Sequence, residues 1–314
     1  MPSPAALVAS AGVVTVDLIQ VVDHTPGRNE KMVAVSQRLE IGGPAANAAR
    51  TVAALGCTAR LIAPYGAGPL TGFIREQLSA ADIDWIDPIA GQANRSPLSS
   101  VLVHQPTGER SVVFGGGSAW RPADRSEAAM SAWLADAGAV LIDGHGGALP
   151  AVIAGAAHAR DLPVILDGGS HKPGMEDYLP HVTLALLSAD FAPPGGGDPL
   201  AWALEHGAAE AARSAEADPI IWRTAYGDRQ VPARPVEAVD TLAAGDVLHG
   251  AAAAALAVTG GDRERMGEVL GFAAVVASES VRFPGALGWA ADERVLAEAR
   301  AELARLAAVG PADR

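Results

Sequence analysis

Apolar and polar positions alternate along this chain in two rhythms. In the first, Val13 to Val22 and Met32 to Ile41 are β-branched and aliphatic stretches separated by the turn-rich spacer His24 to Asn29, and they read as strands. Ala45 to Leu55 recurs at helical spacing, stops at Gly56 and leads into the strand-like Ala59 to Pro64. Ser99 to His104 and Arg110 to Phe114 flank a turn containing Pro106 and Gly108, which predicts a hairpin. From Ser126 the second rhythm takes over. Helical Ser126 to Ala137 and Leu149 to Arg160 alternate with apolar Val140 to Asp143 and Val164 to Asp167, the pattern of a parallel sheet covered by helices. Thr183 to Leu187 and Ile220 to Trp222 predict further core strands, and Asp246 to Val258, Arg263 to Ser280 and Asp292 to Ala308 predict helices. Pro193 to Pro199 reads as a loop, because helical periodicity resumes at once. The expectation is a doubly wound α/β body with strand-rich excursions near its start.

A length of 314 residues suits one large α/β domain with an appendage or two modest domains, and 49% hydrophobic with 19% charged residues argues against disorder or a coiled coil. The single cysteine, Cys57, cannot form an intramolecular disulfide or a cysteine zinc cluster, so a reducing cytoplasm is the expected home. Residues 1–16 lack the basic flank of a secretory signal, and the apolar run Val247 to Val258 is too short to span a bilayer and is broken by His249, so no membrane anchor is expected. A formal net charge of −13 and only 4% aromatic residues argue against nucleic acid as a partner, while a local basic pocket stays open.

Two segments carry candidate chemistry. Asp240-Thr241-Leu242-Ala243-Ala244-Gly245-Asp246 runs directly into a helix of small residues, and small residues at a helix start leave backbone N–H groups approachable by an anion. Asp246 alone would read as an N-cap, but a cap does not require Gly245 and two alanines before it. Ile41-Gly42-Gly43-Pro44-Ala45-Ala46-Asn47 pairs glycines that admit a ligand close to the main chain with an asparagine able to donate to and accept from a hydroxyl. Its plainer reading is a strand-to-helix turn with Pro44 in the first helical turn. Other signals fail. Gly66, Gly68 and Gly72 imitate a dinucleotide fingerprint with an interval one residue too long, and Lys31 and Lys172, the two lysines, follow no glycine, which excludes a Walker A loop. The eight histidines form no short metal-binding pair, and no Gly-x-Ser-x-Gly elbow is present.

Together and in this order, the two segments resemble the signatures of the ribokinase-like, PfkB-type carbohydrate kinases, and the resemblance covers nearly the whole chain. Gly12 and Asp17 match that family's first-strand glycine and sugar-binding aspartate. Gly42, Gly43 and Asn47 match its paired-glycine sugar motif, and Gly66 to Gly72 a glycine-bracketed turn; Asp240 to Asp246 matches its second signature with Ala243 in place of the first glycine. Three positions depart from the pattern. The Asn-x-x-Glu element that helps position magnesium and phosphate falls on Ser188-Ala189-Asp190-Phe191; the loop near the nucleotide is shortened to Arg223 to Asp228; and Lys172 follows Asp167 where an arginine is common.

The resemblance implies one ribokinase-like domain over residues 1–314, with lid segments at about 13–41 and 99–114. It implies transfer of a phosphoryl group from ATP, with Mg²⁺, to a hydroxyl of a small sugar or sugar derivative. Asp246 would be the general base, with Ala243, Ala244 and Gly245 supplying the anion hole. Asp17, Gly42, Gly43 and Asn47 would orient the acceptor, Lys31 and Arg110 could face an anionic one, and Thr224, Gly227 and Gly285 would lie on the nucleotide side. A nucleoside acceptor, which an aromatic lid residue would favour, and a sugar-binding or regulatory protein with impaired catalysis are the alternatives. A homodimer through the lid is also expected.

Overall fold

The computed structural model describes residues 6–94, 97–115, 126–215 and 218–309. Its elements begin with strands β1 (Leu7–Ala11), β2 (Thr15–Val22) and β3 (Ser36–Gly42), helix α1 (Pro44–Ala54), β4 (Thr58–Ile62), α2 (Thr71–Ala80) and β5 (Ile83–Ile86). The predicted hairpin follows as β6 (Leu98–His104) and β7 (Arg110–Phe114). Then come α3 (Glu127–Trp133), β8 (Ala137–Ile142), α4 (Leu149–His158), β9 (Val164–Gly168), the single turn α5 (Met175–Tyr178), β10 (Leu184–Leu187), α6 (Pro199–Glu205) and β11 (Glu210–Ala215). The chain closes with β12 (Asp218–Thr224), β13 (Gly227–Val231), α7 (Ala244–Val258), α8 (Met266–Ser280) and α9 (Glu293–Ala308).

Nine strands form one sheet in the order β13-β12-β11-β10-β9-β8-β1-β4-β5, parallel from β11 to β5 with an antiparallel hairpin at one edge. Helices cover both faces, and each face carries its own apolar core. Strands buried on both sides need continuous apolar runs, as Ala-Val-Leu-Ile at 139–142 and Leu-Ala-Leu-Leu at 184–187 provide. The doubly wound body is therefore as expected. β1 is among the elements the pattern does not predict: Leu-Val-Ala-Ser-Ala has low strand propensity, yet it is wholly buried between β4 and β8 at the sheet's centre.

A second sheet of order β3-β2-β6-β7 stands apart from the first and is built from the expected lid segments. Its β3 starts at Ser36, later than the expected Met32, and Val33 is almost fully exposed in the segment before it. Lys31 is therefore an exposed loop residue, not the start of a lid strand. Among the described residues no helix is long and apolar enough to cross a membrane.

Candidate active site

α7 begins at Ala244, so Asp246 is the third helical residue and not the cap; the cap position belongs to Ala243, which lies at φ +60° with no side-chain cap. A left-handed backbone disfavours any side chain, so Ala243 holds mild strain where the reaction would occur. The first turn of any helix leaves its leading amides without intrahelical acceptors. A Cβ added at Gly245 would meet nothing within 4 Å, so this turn is open on that side.

α1 and α7 lie against each other through a glycine: a Cβ at Gly250 would fall 2.6 Å from Ala48 O and 2.9 Å from Thr51 Cβ. That close approach lets Asn47 Nδ2 donate to Asp246 Oδ2 at 2.7 Å. Arg50, one turn along α1, donates to Asn47 Oδ1 at 3.3 Å and to Ile41 O at 3.1 Å, and its guanidinium lies in the fields of Glu40 and Asp17. Asp17 accepts from Thr15 Oγ1 at 2.6 Å and from the Ser99 side chain. Burial raises the Asp17 carboxyl above its usual range, and these two hydrogen bonds oppose it. A Cβ at Gly42 would sit 2.0 Å from Asp17 Oδ2, so only glycine fits there, and Gly43 adopts φ +95° against Val13 O. Asp17, Gly42, Asn47 and Asp246 are thus joined through one network.

The floor is carboxylate-rich. Burial, then the charge of Asp167, pushes the Asp246 carboxyl up to about 7, while the Asn47 hydrogen bond and His249 pull it back. Asp143, at the end of β8, accepts from Val13 N at 2.9 Å, Ala45 N at 3.1 Å and His145 N at 2.8 Å, and ties the Gly12 turn to the start of α1. A Cβ on Gly12 would collide with that carboxyl at 2.0 Å. Asp143 and Arg50 are not among the residues the sequence singles out, whereas His249, inside this helix, reads there as a packing residue or a neighbour of the site rather than a metal ligand. For Asp143 the available signal was an aspartate at the carboxyl end of an apolar parallel strand, where ligands of such sheets gather.

Arg110 of β7 donates to Asp240 Oδ1 at 3.1 Å and to Thr241 Oγ1 at 2.8 Å, and Asp240 Oδ2 accepts from Gly285 N at 2.8 Å. Arg110, a candidate to face an anionic acceptor, is thus partnered by Asp240 and fastens β7 to the loop before α7. Gly285 adjoins that same loop. Thr224 and Gly227 are corrected. They pair with each other at the β12–β13 turn, and Arg223 is level with Ala211 near the amino end of β11, whereas Asp167 and Asp143 lie at the carboxyl ends of their parallel strands. The turn at the site end of β11 falls instead at 215–218, of which 216–217 lie outside the described residues.

A family model described as pfkB family carbohydrate kinase matches residues 5–290. The chain belongs to that family. No curated protein matches the sequence. Among solved structures, a candidate ribokinase from Agrobacterium tumefaciens superposes with TM-score 0.78 at 23% identity, covering 96% of this chain and 99% of that one. Ribokinase from Thermotoga maritima gives 0.72 at 21%, with the same coverages. Ribokinase from Arabidopsis thaliana complexed with ribose and ATP gives 0.74 at 20%, covering 98% and 99%. At such identities these likenesses establish the ribokinase fold.

One pfkB-type feature does not fit here. At the Asn-x-x-Glu position, Ser188 Oγ donates to Gly169 O at 2.9 Å and Phe191 is buried in the core, so neither family residue is present, and the carboxylate of this segment is the exposed Asp190. Among the described residues no group of three or more His, Cys, Asp or Glu is arranged to hold a metal ion.

Proposed function

We propose that this pfkB-family carbohydrate kinase transfers the terminal phosphoryl group of ATP to a hydroxyl of a small sugar or sugar derivative, with Asp246 as the general base. The observation that carries the reading is the Asp246 carboxyl, held by Asn47 at 2.7 Å beside the open amino end of α7 and pushed up to about 7. A base works best when its pKa lies near the working pH, and amides at a helix start favour the negative charge that develops on a transferred phosphoryl. Ala243, Ala244 and Gly245 supply that turn. Asp17, Gly42, Gly43 and Asn47 orient the acceptor, and the lid sheet excludes water that would otherwise hydrolyse ATP. Lys172 and His145 border the same floor, and Lys172 adds positive charge to the cleft. Mg²⁺ bound with the nucleotide would neutralise phosphate oxygens, and no step here runs through a metal held by the protein.

The test is ATP turnover with Mg²⁺ across a panel of sugars, for the wild type and Asp246→Asn. The expected result is phosphorylation of at least one sugar by the wild type and a loss of about 10²- to 10⁴-fold in the variant. Turnover within a few-fold of wild type would remove Asp246 from this role, and a sugar that binds without being phosphorylated would favour the binding-protein alternative. One observation supports a nucleoside as second acceptor class. Phe114 lies in the same cross-strand row as Ser99 and Asp17, and is 41% exposed, so an aromatic ring stands level with the acceptor subsite. Nucleosides belong in the panel for that reason.

The outer face of the lid supports a second copy of the chain as partner. Leu39, Leu18, Ser100 and Val113 form one cross-strand row on the face opposite Asp17, with Val113 71% exposed. An uncovered apolar row on a small sheet is well matched to its own twin.

A further inference from the structure

His249 lies one turn beyond Asp246 in α7 and is 3% exposed. Both ring nitrogens face carbonyl oxygens: Nδ1 is 2.6 Å from Gly245 O, and Nε2 is 2.9 Å from Leu186 O of β10. A carbonyl oxygen only accepts, so each contact requires an N–H on the ring, and a neutral imidazole carries one. Asp167 Oδ2 of β9 stands 3.4 Å from the same Nδ1, buried and without a hydrogen-bond partner. A neutral ring would turn a lone pair toward a carbonyl and leave that carboxylate with no counter-charge beside Asp246.

We propose that His249 is held as an imidazolium between Gly245 O and Leu186 O, and that this fixed cation lets Asp167 and Asp246 be ionised together, setting the pH at which the base operates. The inference rests on the reading of Asp246 as the base. His249 is a positioning residue, because it reaches the reaction through Asp246 and through the carbonyl of Gly245, not by contact with substrate. The charged and titratable groups around this centre are Asp167 on β9, Asp246 on α7, Asp143 at the end of β8, and then His145 and Lys172. Burial holds the His145 imidazole toward its neutral form, and Lys172 donates to Ser170 O at 3.2 Å. Among the described residues, His249 is therefore the imidazole in direct contact with Asp167 and adjacent to Asp246.

Two measurements test this. Nitrogen NMR of the full chain labelled in histidine should show both His249 ring nitrogens protonated at pH 7.5; a singly protonated ring would overturn the proposal. In His249→Asn, the acid limb of kcat/KM should move up by about one pH unit or more, as expected when an opposite charge is removed. KM for the acceptor should stay within about two-fold and kcat should recover toward pH 9. A uniform loss of kcat with the limb in place would assign His249 a packing role only and refute the inference. Should this variant fail to fold, the nitrogen spectrum of the wild type still decides. Asp246→Asn separates the two readings: retained turnover defeats the base itself, whereas lost turnover with an unmoved limb in His249→Asn defeats only the present inference.

Discussion

If Asp246 is the base, as proposed, catalysis and stability pull in opposite directions there. Its carboxyl is pushed up to about 7 in the folded protein from 3.8, first by burial and then by Asp167. A group whose pKa is raised on folding contributes stability fully present below the unfolded value and lost as pH rises through the folded one. Asp246→Asn keeps an acceptor for Asn47 but carries no charge. We expect it to match the wild type near pH 4 and to be the more stable protein above about pH 7, as read by urea unfolding at the two pH values; equal stabilities at pH 8 would contradict a strained carboxylate. Turnover of the wild type should rise with pH through the same region as the base ionises. Glycine at 42 gives a second residue-scale prediction. Gly42→Ala places a methyl on Asp17 Oδ2, so the acceptor KM should rise by about ten-fold or more while the KM for ATP changes little. Asp17, Asn47 and Asp246 were readable as sequence because they stand in short motifs. Asp143 was not, because its backbone partner Val13 lies 130 residues away, and His249 was readable only as a packing residue or a neighbour of the site, because its partner Leu186 lies 63 residues away.

Among elements, the pair α1 and α7 decides the geometry of the site. Gly250→Val would drive a side chain into Ala48 O and Thr51, so we expect a loss of about 1–3 kcal/mol in chemical denaturation. We also expect a fall in kcat larger than in Val→Ala changes on the far side of the sheet, since the Asn47–Asp246 hydrogen bond depends on that approach. Helix positions were legible because α1 and α7 alternate small apolar residues at helical spacing. Two strands were harder. β1 is built from alanine, serine, leucine and valine and owes its conformation to burial between β4 and β8. β11 carries Glu210 and Arg213 and gives no strand signal, so Ile220 to Trp222, a strand as expected, stands in the sequence as the next one after β10 although it is the antiparallel neighbour of β11. Glu210 is tolerated there because Trp222 Nε1 donates to it at 2.8 Å and Arg263 Nε at 2.9 Å. That reading carried Thr224 and Gly227 to the wrong end of the sheet.

Over the whole molecule, the lid is joined to the body at both ends of its sheet, by continuation of β3 into α1 and by Arg110 on Asp240 and Thr241. Hydrogen exchange should show β2, β3, β6 and β7 gaining protection at saturating acceptor, and Arg110→Ala should raise their exchange in the free protein; unchanged protection in both cases would deny the lid its role. Val113→Lys should shift a dimer toward about 32 kDa in light scattering without altering turnover per chain, if the outer row is where copies meet. The long reach of the site across the chain also fixes when activity can first exist. Asn47 and Asp246 are 199 residues apart. During synthesis at about 5–20 residues per second, roughly 10–40 s pass between them, in which the proposed acceptor residues have been synthesised and the proposed base has not. On the proposed reading, a nascent chain that ends before α7 would be silent toward ATP, and activity would begin only when α7 docks against α1.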